Sequence, residues 1–62
     1  MSLKDFLEMY DNWNGNTQIN DDNLETIVEG NTCKIYDNRV DLHEKHVVAF
    51  GFYDGVLTVR VK

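Results

Sequence analysis

The sequence predicts a single α+β domain over residues 1–62, in which an N-terminal amphipathic helix packs on a mainly antiparallel sheet of three or four strands. Three observations lead to this fold class. The last sixteen residues alternate between apolar and polar side chains on both sides of Asp54-Gly55, which is typical of a C-terminal β-hairpin. The first eleven residues carry apolar side chains at helical spacing. A chain of 62 residues with 42% hydrophobic content is large enough for one small core.

The register of the C-terminal hairpin follows from its turn. Asp-Gly favours a two-residue type I′ turn, because both of its central positions adopt positive φ. Tyr53 then lies opposite Val56, and pairing continues without interruption to Val47 opposite Lys62. Because side chains alternate between the two faces of a strand, one face collects only apolar residues. We expect this core face to hold Val48, Phe50, Phe52, Leu57, Val59 and Val61.

The N-terminal helix is predicted from residue 3 to about residue 11. Ser2 with Asp5 three residues later resembles a capping box. A helical stop follows at Asn14-Gly15, since Asn and Gly tolerate the left-handed cap conformation. We expect the apolar stripe of this helix to cover the core face of the hairpin, with Leu3, Phe6, Leu7 and Tyr10 in contact.

The middle of the chain is predicted to contain two short strands, followed by a segment with two alternative secondary structures. Residues 11–16 have the composition of a loop, and residues 17–20 form a weak strand. A turn over 21–23 leads to a second strand over 24–28, which pairs antiparallel with the first. Residues 32–45 fit either short helical turns or an alternating strand, and we favour the helical turns.

Charge and cysteine content indicate the compartment and exclude some partners. The net charge is −5, and residues 1–30 hold seven acids and one lysine. Direct binding to nucleic acid is not expected, because phosphate contacts need Lys and Arg. A lone cysteine, Cys33, and the absence of a signal peptide or a long apolar run indicate a cytoplasmic protein without a membrane anchor.

No constellation of residues predicts an enzyme, a cofactor or a metal. Residues 12–23 superficially resemble a calcium loop, but Thr17 and Asn23 occupy positions that require Gly and a bidentate Glu. His43 and His46 form an H-x-x-H pair, and Cys33 would add only a third zinc ligand. A small metal- or thiol-dependent enzyme is therefore the least favoured function, and we expect the thiol to be buried.

Two surfaces are candidates for binding a protein. The outer face of the hairpin carries Tyr53, Val56 and Arg60, which combine aromatic, apolar and basic contacts. Alternatively, another layer of the same domain covers this face, or Tyr53 lies over Gly51 and covers it. The alternative partner is a second copy, in a homodimer formed through this outer face or through the last strand as a sheet edge.

The second candidate surface is an acidic row on the N-terminal helix. Asp5, Glu8 and Asp11 recur every three residues, so they follow one side of the predicted helix. A row of carboxylates imitates the phosphates of nucleic acid, which makes an acidic nucleic-acid mimic or inhibitor the alternative function. The simpler interpretation is a solvated face that keeps the protein soluble.

Three segments together resemble a group of bacterial proteins: FLEMYDNWNG at 6–15, NDDNLETIVEG at 20–30 and VVAFGFYDGVLTVRVK at 47–62. The chain is similar to short, uncharacterised single-domain proteins of Gram-positive gut bacteria and their mobile elements. The resemblance implies a cytoplasmic accessory protein, and it implies no activity and no site residues. The sequence thus predicts a non-enzymatic protein-interaction or accessory protein of unknown process.

Overall fold

Four strands form one sheet, and the helices supply the apolar side chains that cover one of its faces. The computed structural model describes residues 1–62 and confirms the α+β class with an N-terminal helix and a C-terminal hairpin. The elements are α1 (Leu3–Met9), β1 (Asn16–Asn20), β2 (Thr26–Asn31), α2 (Thr32–Asn38), a 3₁₀ turn (Val40–Leu42), β3 (Val47–Tyr53) and β4 (Val56–Val61).

The sheet is mixed, with the strand order β2-β1-β4-β3. β2 and β3 pair antiparallel with their neighbours, whereas β1 and β4 run parallel in the centre. The prediction that the last strand is an edge is therefore wrong, because β4 is interior and β3 is an edge. Parallel pairing joins segments that are distant in sequence, so no turn motif predicts it.

The hairpin register is confirmed over five pairs, from Tyr53–Val56 to Ala49–Arg60. Asp54 and Gly55 have φ values of 51° and 78°, as a type I′ turn requires. The register then shifts, and Val47 pairs with Val61 instead of Lys62. This bulge leaves Val48 without a partner on β4, so the predicted uninterrupted pairing is wrong at its far end.

The core face of the hairpin is only half buried. Leu57, Val59 and Val61 on β4 are fully buried, as predicted. Val48, Phe50 and Phe52 on β3 are exposed, which corrects their placement in the core. The register puts Phe50 and Phe52 on the same face as their β4 partners. They stay exposed because β3 is the outermost strand and the helices cover mainly the centre of the sheet.

The N-terminal helix begins as predicted and ends early. The Ser2 hydroxyl accepts a hydrogen bond of 3.1 Å from the Asp5 backbone N–H, which caps the first turn. Leu3, Phe6 and Leu7 are buried in the core. The helix ends at Met9, and Tyr10 is already extended, so Asp11 lies beyond the helix.

Residues 32–45 contain the predicted helical turns. Asn31 caps α2 through its side-chain oxygen, which accepts from the Lys34 N–H at 3.1 Å. Thr32 is fully buried, and its hydroxyl lies 2.5 Å from that of Thr17 on β1. This hydrogen bond fastens α2 to the sheet. Cys33 is exposed on this helix, so the expectation of a buried thiol is wrong.

The unequal burial of the two hairpin strands predicts unequal effects of truncation. Leu57 is 0% exposed and Phe52 is 52% exposed. Leu57→Ala should lower the free energy of unfolding by ~2–5 kcal/mol. Phe52→Ala should lower it by ~1 kcal/mol or less, because about half of the ring is already in water. Urea denaturation measures both values, and equal losses would contradict the exposed position of Phe52.

Candidate functional site

The most distinctive surface is a row of large apolar side chains beside the edge of the sheet. Met1, Met9, Val48, Phe50 and Phe52 are between 39 and 64% exposed, and we call these five residues the apolar strip. Four of them border a groove of about 450 Å³ between α1 and β3, whose lining residues are all of apolar type: Met1, Phe6, Met9, Val47, Val48, Ala49 and Phe50. Contiguous exposed apolar patches are uncommon on small domains, and they are found at contacts with proteins, membranes or ligands and at sites prone to aggregation.

The edge of β3 is closed at one end and open along the rest. Ser2 forms an isolated antiparallel bridge with His46, and the Val47 N–H donates to the Met1 carbonyl at 2.9 Å. No further strand flanks β3 beyond this point. The open edge therefore runs from Val48 to Tyr53, alongside the apolar strip.

The open edge has few of the features that prevent pairing with another strand. The sequence of β3, VVAFGFY, contains no charged residue and no proline. Edge strands are normally protected by charges, proline, bulges or a covering segment. Here the bulge at Val48 and the N-terminal residues protect only the first part of the strand.

Phe50 is exposed and yet held in position by aromatic contacts. Its ring centroid lies 4.8 Å from that of Phe6 and 6.0 Å from that of Tyr10. Tilted and edge-on contacts at these distances are favourable aromatic geometries. These contacts pack one side of the Phe50 ring against α1 and the residue that follows it, while the other side stays exposed.

The outer face of the sheet holds the other predicted site residues. Tyr53 lies over Gly51, where an added Cβ would approach the phenol ring to 2.7 Å. The alternative that Tyr53 covers Gly51 is thus confirmed. Arg60 and Tyr53 border a small cleft of about 240 Å³. Val56 is half-buried in β4 and does not border that cleft.

Side-chain hydrogen bonds occupy the polar half of this outer face. The Thr26 hydroxyl donates to the side-chain Oδ1 of Asn20 at 2.9 Å, and the side-chain Nδ2 of Asn20 donates to the Gln18 Oε1 at 3.3 Å. Gln18 in turn donates to Glu29 at 3.0 Å. Arg60 is adjacent to Asn20 in the sheet, and its buried Nε has no hydrogen-bond partner. Apart from the Arg60 Nε, these polar side chains are paired with one another, so this half offers fewer free groups to a partner than its composition suggests.

The acidic row is interrupted by pairing within the domain. Glu8 forms a salt bridge of 3.0 Å with Lys4 and accepts a hydrogen bond from the Tyr36 hydroxyl. The Tyr36 hydrogen bond, followed by the contact with Lys4, holds the pKa of Glu8 below its usual value. Asp5 and Asp11 are exposed, but Asp11 follows the helix end. The three carboxylates therefore do not form a free, regular row on α1.

Cys33, His43 and His46 occupy separate environments. The Cys33 thiol lies 3.9 Å from the Asp37 carboxylate, and the His43 ring Nε2 lies 2.8 Å from the Tyr36 carbonyl. His46 belongs to the bridge with Ser2. No group of three or more His, Cys, Asp or Glu side chains is placed to hold a metal ion.

The sequence prediction missed the apolar strip. It assigned Phe50 and Phe52 to the core and placed the candidate surface on the opposite face of the hairpin. One signal was present in the sequence, because a strand with no charged residue that lies at an edge exposes apolar side chains. Identifying β3 as that edge required the strand order.

The contact between Glu8 and Tyr36 predicts a measurable change in titration. Tyr36→Phe removes the hydrogen bond to the ionised carboxylate, so the pKa of Glu8 should rise toward its ordinary value. A depressed carboxyl pKa stabilises the fold above the unfolded-state pKa, and this stability is lost as the pH falls through the folded-state pKa. NMR titration of the Glu8 carboxyl measures the shift. Tyr10→Phe is the matched control, and an unchanged Glu8 pKa in Tyr36→Phe would refute the assignment.

Comparison with known proteins assigns no role to these surfaces. No helix of the structure has the length and apolar character needed to cross a membrane. The chain matches no protein-family model, no curated protein and no solved structure.

Proposed function

We propose that this chain is a non-enzymatic interaction protein that binds another protein through the apolar strip. The observation that carries the proposal is the clustering of exposed Met and Phe side chains on one edge of the domain. Aromatic residues and Met are enriched at protein interfaces, whereas charged residues are depleted in their centres. The strip and the adjoining strand β3 have this composition.

The energetic argument favours the strip over the other surfaces. Complete burial of one Phe or Met side chain contributes ~1.5–3 kcal/mol, and Phe50 and Phe52 each have more than half of that contact surface available. The acidic row supports the alternative of a nucleic-acid mimic less well, because Lys4 already neutralises Glu8. The polar half of the outer face is occupied by its own hydrogen bonds.

A cytoplasmic accessory role is part of the proposal. Cys33 is free and exposed, and an unpaired surface thiol is typical of proteins in reducing compartments. The strip supplies contact area without any arrangement of nucleophile, base and oxyanion donors, which a hydrolytic or transfer reaction needs.

Affinity capture with matched variants tests the proposed interface. Phe52→Lys places a charge in the strip, and Val40→Lys adds the same charge at another exposed apolar residue, which is 63% exposed and lies on the 3₁₀ turn. We expect the wild type and Val40→Lys to retain the same protein from a host lysate, and Phe52→Lys to lose it. Mass spectrometry of the bound fraction provides the measurement.

Two results of this experiment would contradict the proposal. Retention of the same protein by Phe52→Lys would show that the strip is not the binding surface. Capture that disappears at high salt, and is unaffected by Phe52→Lys, would support the acidic surface, because exposed charges are screened by salt. Circular dichroism of both lysine variants verifies that they remain folded.

A further inference from the structure

We propose that the small cleft on the outer face of the sheet binds an organic carboxylate of about the size of benzoate, and that Arg60 recognises its charge. The cleft has a volume of about 240 Å³ and is bordered by Arg60, Tyr53 and Leu24 among others. The inference goes beyond the proposed function and does not depend on it, because none of these three residues belongs to the apolar strip.

Arg60 is a cation without an acidic partner. Lys4 and Arg39 each form a salt bridge of 3.0 Å with a carboxylate, whereas Arg60 forms none. None of the eight residues that line the cleft is acidic, and Arg60 is the only charged one among them. Although the chain carries a net charge of −5, the local charge at this cleft is positive and therefore favours an anion.

The Arg60 side chain also contains a buried hydrogen-bond donor that has no acceptor. Arg60 lies on the interior strand β4 between Asn20 on β1 and Ala49 on β3, and its Nε is buried and unpaired. The Oδ1 of Asn20 already accepts from the Thr26 hydroxyl, and Ala49 has no polar side-chain atom. A buried donor without an acceptor is unfavourable. Rotation of the Arg60 guanidinium onto a carboxylate in the cleft removes this penalty and forms charge-assisted hydrogen bonds.

The charge and the secondary structure around the cleft favour a carboxylate over a phosphate. The planar guanidinium of one arginine binds both oxygens of a carboxylate through two parallel hydrogen bonds. A phosphate group carries more than one negative charge at neutral pH, and helix N-termini commonly supply backbone N–H groups to it. The cleft offers neither a second cation nor a helix, because its residues lie on β1, β3 and β4 and in the turn between β1 and β2.

The other walls of the cleft suit an apolar body attached to the carboxylate. Tyr53, whose ring lies across Gly51, and Leu24 both border it. Leu24 is 66% exposed and has a φ of 67°, a conformation that bulky residues rarely adopt. Its N–H donates to the Asp21 carbonyl at 3.0 Å, so a closed turn holds Leu24 beside the cleft. The volume of about 240 Å³ is below the ~300–1,000 Å³ of most ligand pockets, which suits a single ring.

NMR titration of the isotope-labelled protein with benzoate tests the site. Saturable shifts should be confined to backbone amides that border the cleft. Arg60→Gln should weaken binding roughly tenfold or more, because it removes the charge that pairs with the carboxylate. Arg39→Gln is the matched control, since Asp41 already pairs with that arginine, and it should bind benzoate as the wild type does. The absence of a saturable shift, or equal affinity in a folded Arg60→Gln variant, would overturn the inference.

Neutral and inorganic probes test the ligand class with the wild-type protein. Benzamide has the same ring without the charge, so it should bind roughly tenfold more weakly than benzoate. Inorganic phosphate should also bind more weakly than benzoate, because it lacks the apolar body. Equal affinities for benzoate and benzamide, or phosphate binding as tight as that of benzoate, would overturn the assignment of an organic carboxylate.

A second variant tests the apolar wall without changing any charge. Leu24→Gly suits the left-handed backbone at this position, so the fold should be retained. The variant removes the apolar side chain beside the cleft, and its affinity for benzoate should fall while Arg60 is intact. The same titration measures this loss. Unchanged affinity in Leu24→Gly would contradict the placement of the ligand ring between Leu24 and Tyr53.

Discussion

The parallel pairing of β1 with β4 is the interaction on which the rest of the structure depends. It places Thr17 beside Leu57 and Ile19 beside Val59, and all four side chains are fully buried. Because β4 then has a neighbour on each side, its hairpin partner β3 is left at the edge. The helices α1 and α2 pack over this central pair, and their buried residues complete one core of nine apolar side chains.

The same arrangement separates the strands that form the core from the strand that stays exposed. The central strands supply the buried residues, whereas the edge strand supplies Phe50 and Phe52, which remain more than half exposed. A domain of this size has a small free energy of unfolding. Its edge strand nevertheless leaves two aromatic side chains largely outside the core. The Phe50 ring also packs against Phe6 and Tyr10, so it is in contact with the core without being buried.

Much of the fold followed from local sequence signals, and much of the candidate site did not. Asp54-Gly55 determined the hairpin and five of its pairs, because turn geometry fixes register at short range. The cap at Ser2 and the buried Leu3, Phe6 and Leu7 followed from helical spacing. Tyr53, Val56 and Arg60 were assigned correctly to the outer face, but the sequence pattern did not reveal which face of β3 would remain uncovered. The pairing of Glu8 with Lys4 and Tyr36 was also not anticipated, since Tyr36 lies far from Glu8 in the chain.

The sequence by itself determined the class of the domain, its hairpin, its first helix and the alternation of apolar and polar faces. These features depend on contacts between near neighbours, whose geometry is set by turn type, capping and periodicity. Only the tertiary structure decided the strand order, the bulge at Val48 and the exposure of Phe50 and Phe52. Each of these depends on which distant segment pairs with β4, and the packing of the whole chain determines that pairing. An apolar face is a core only where another element covers it.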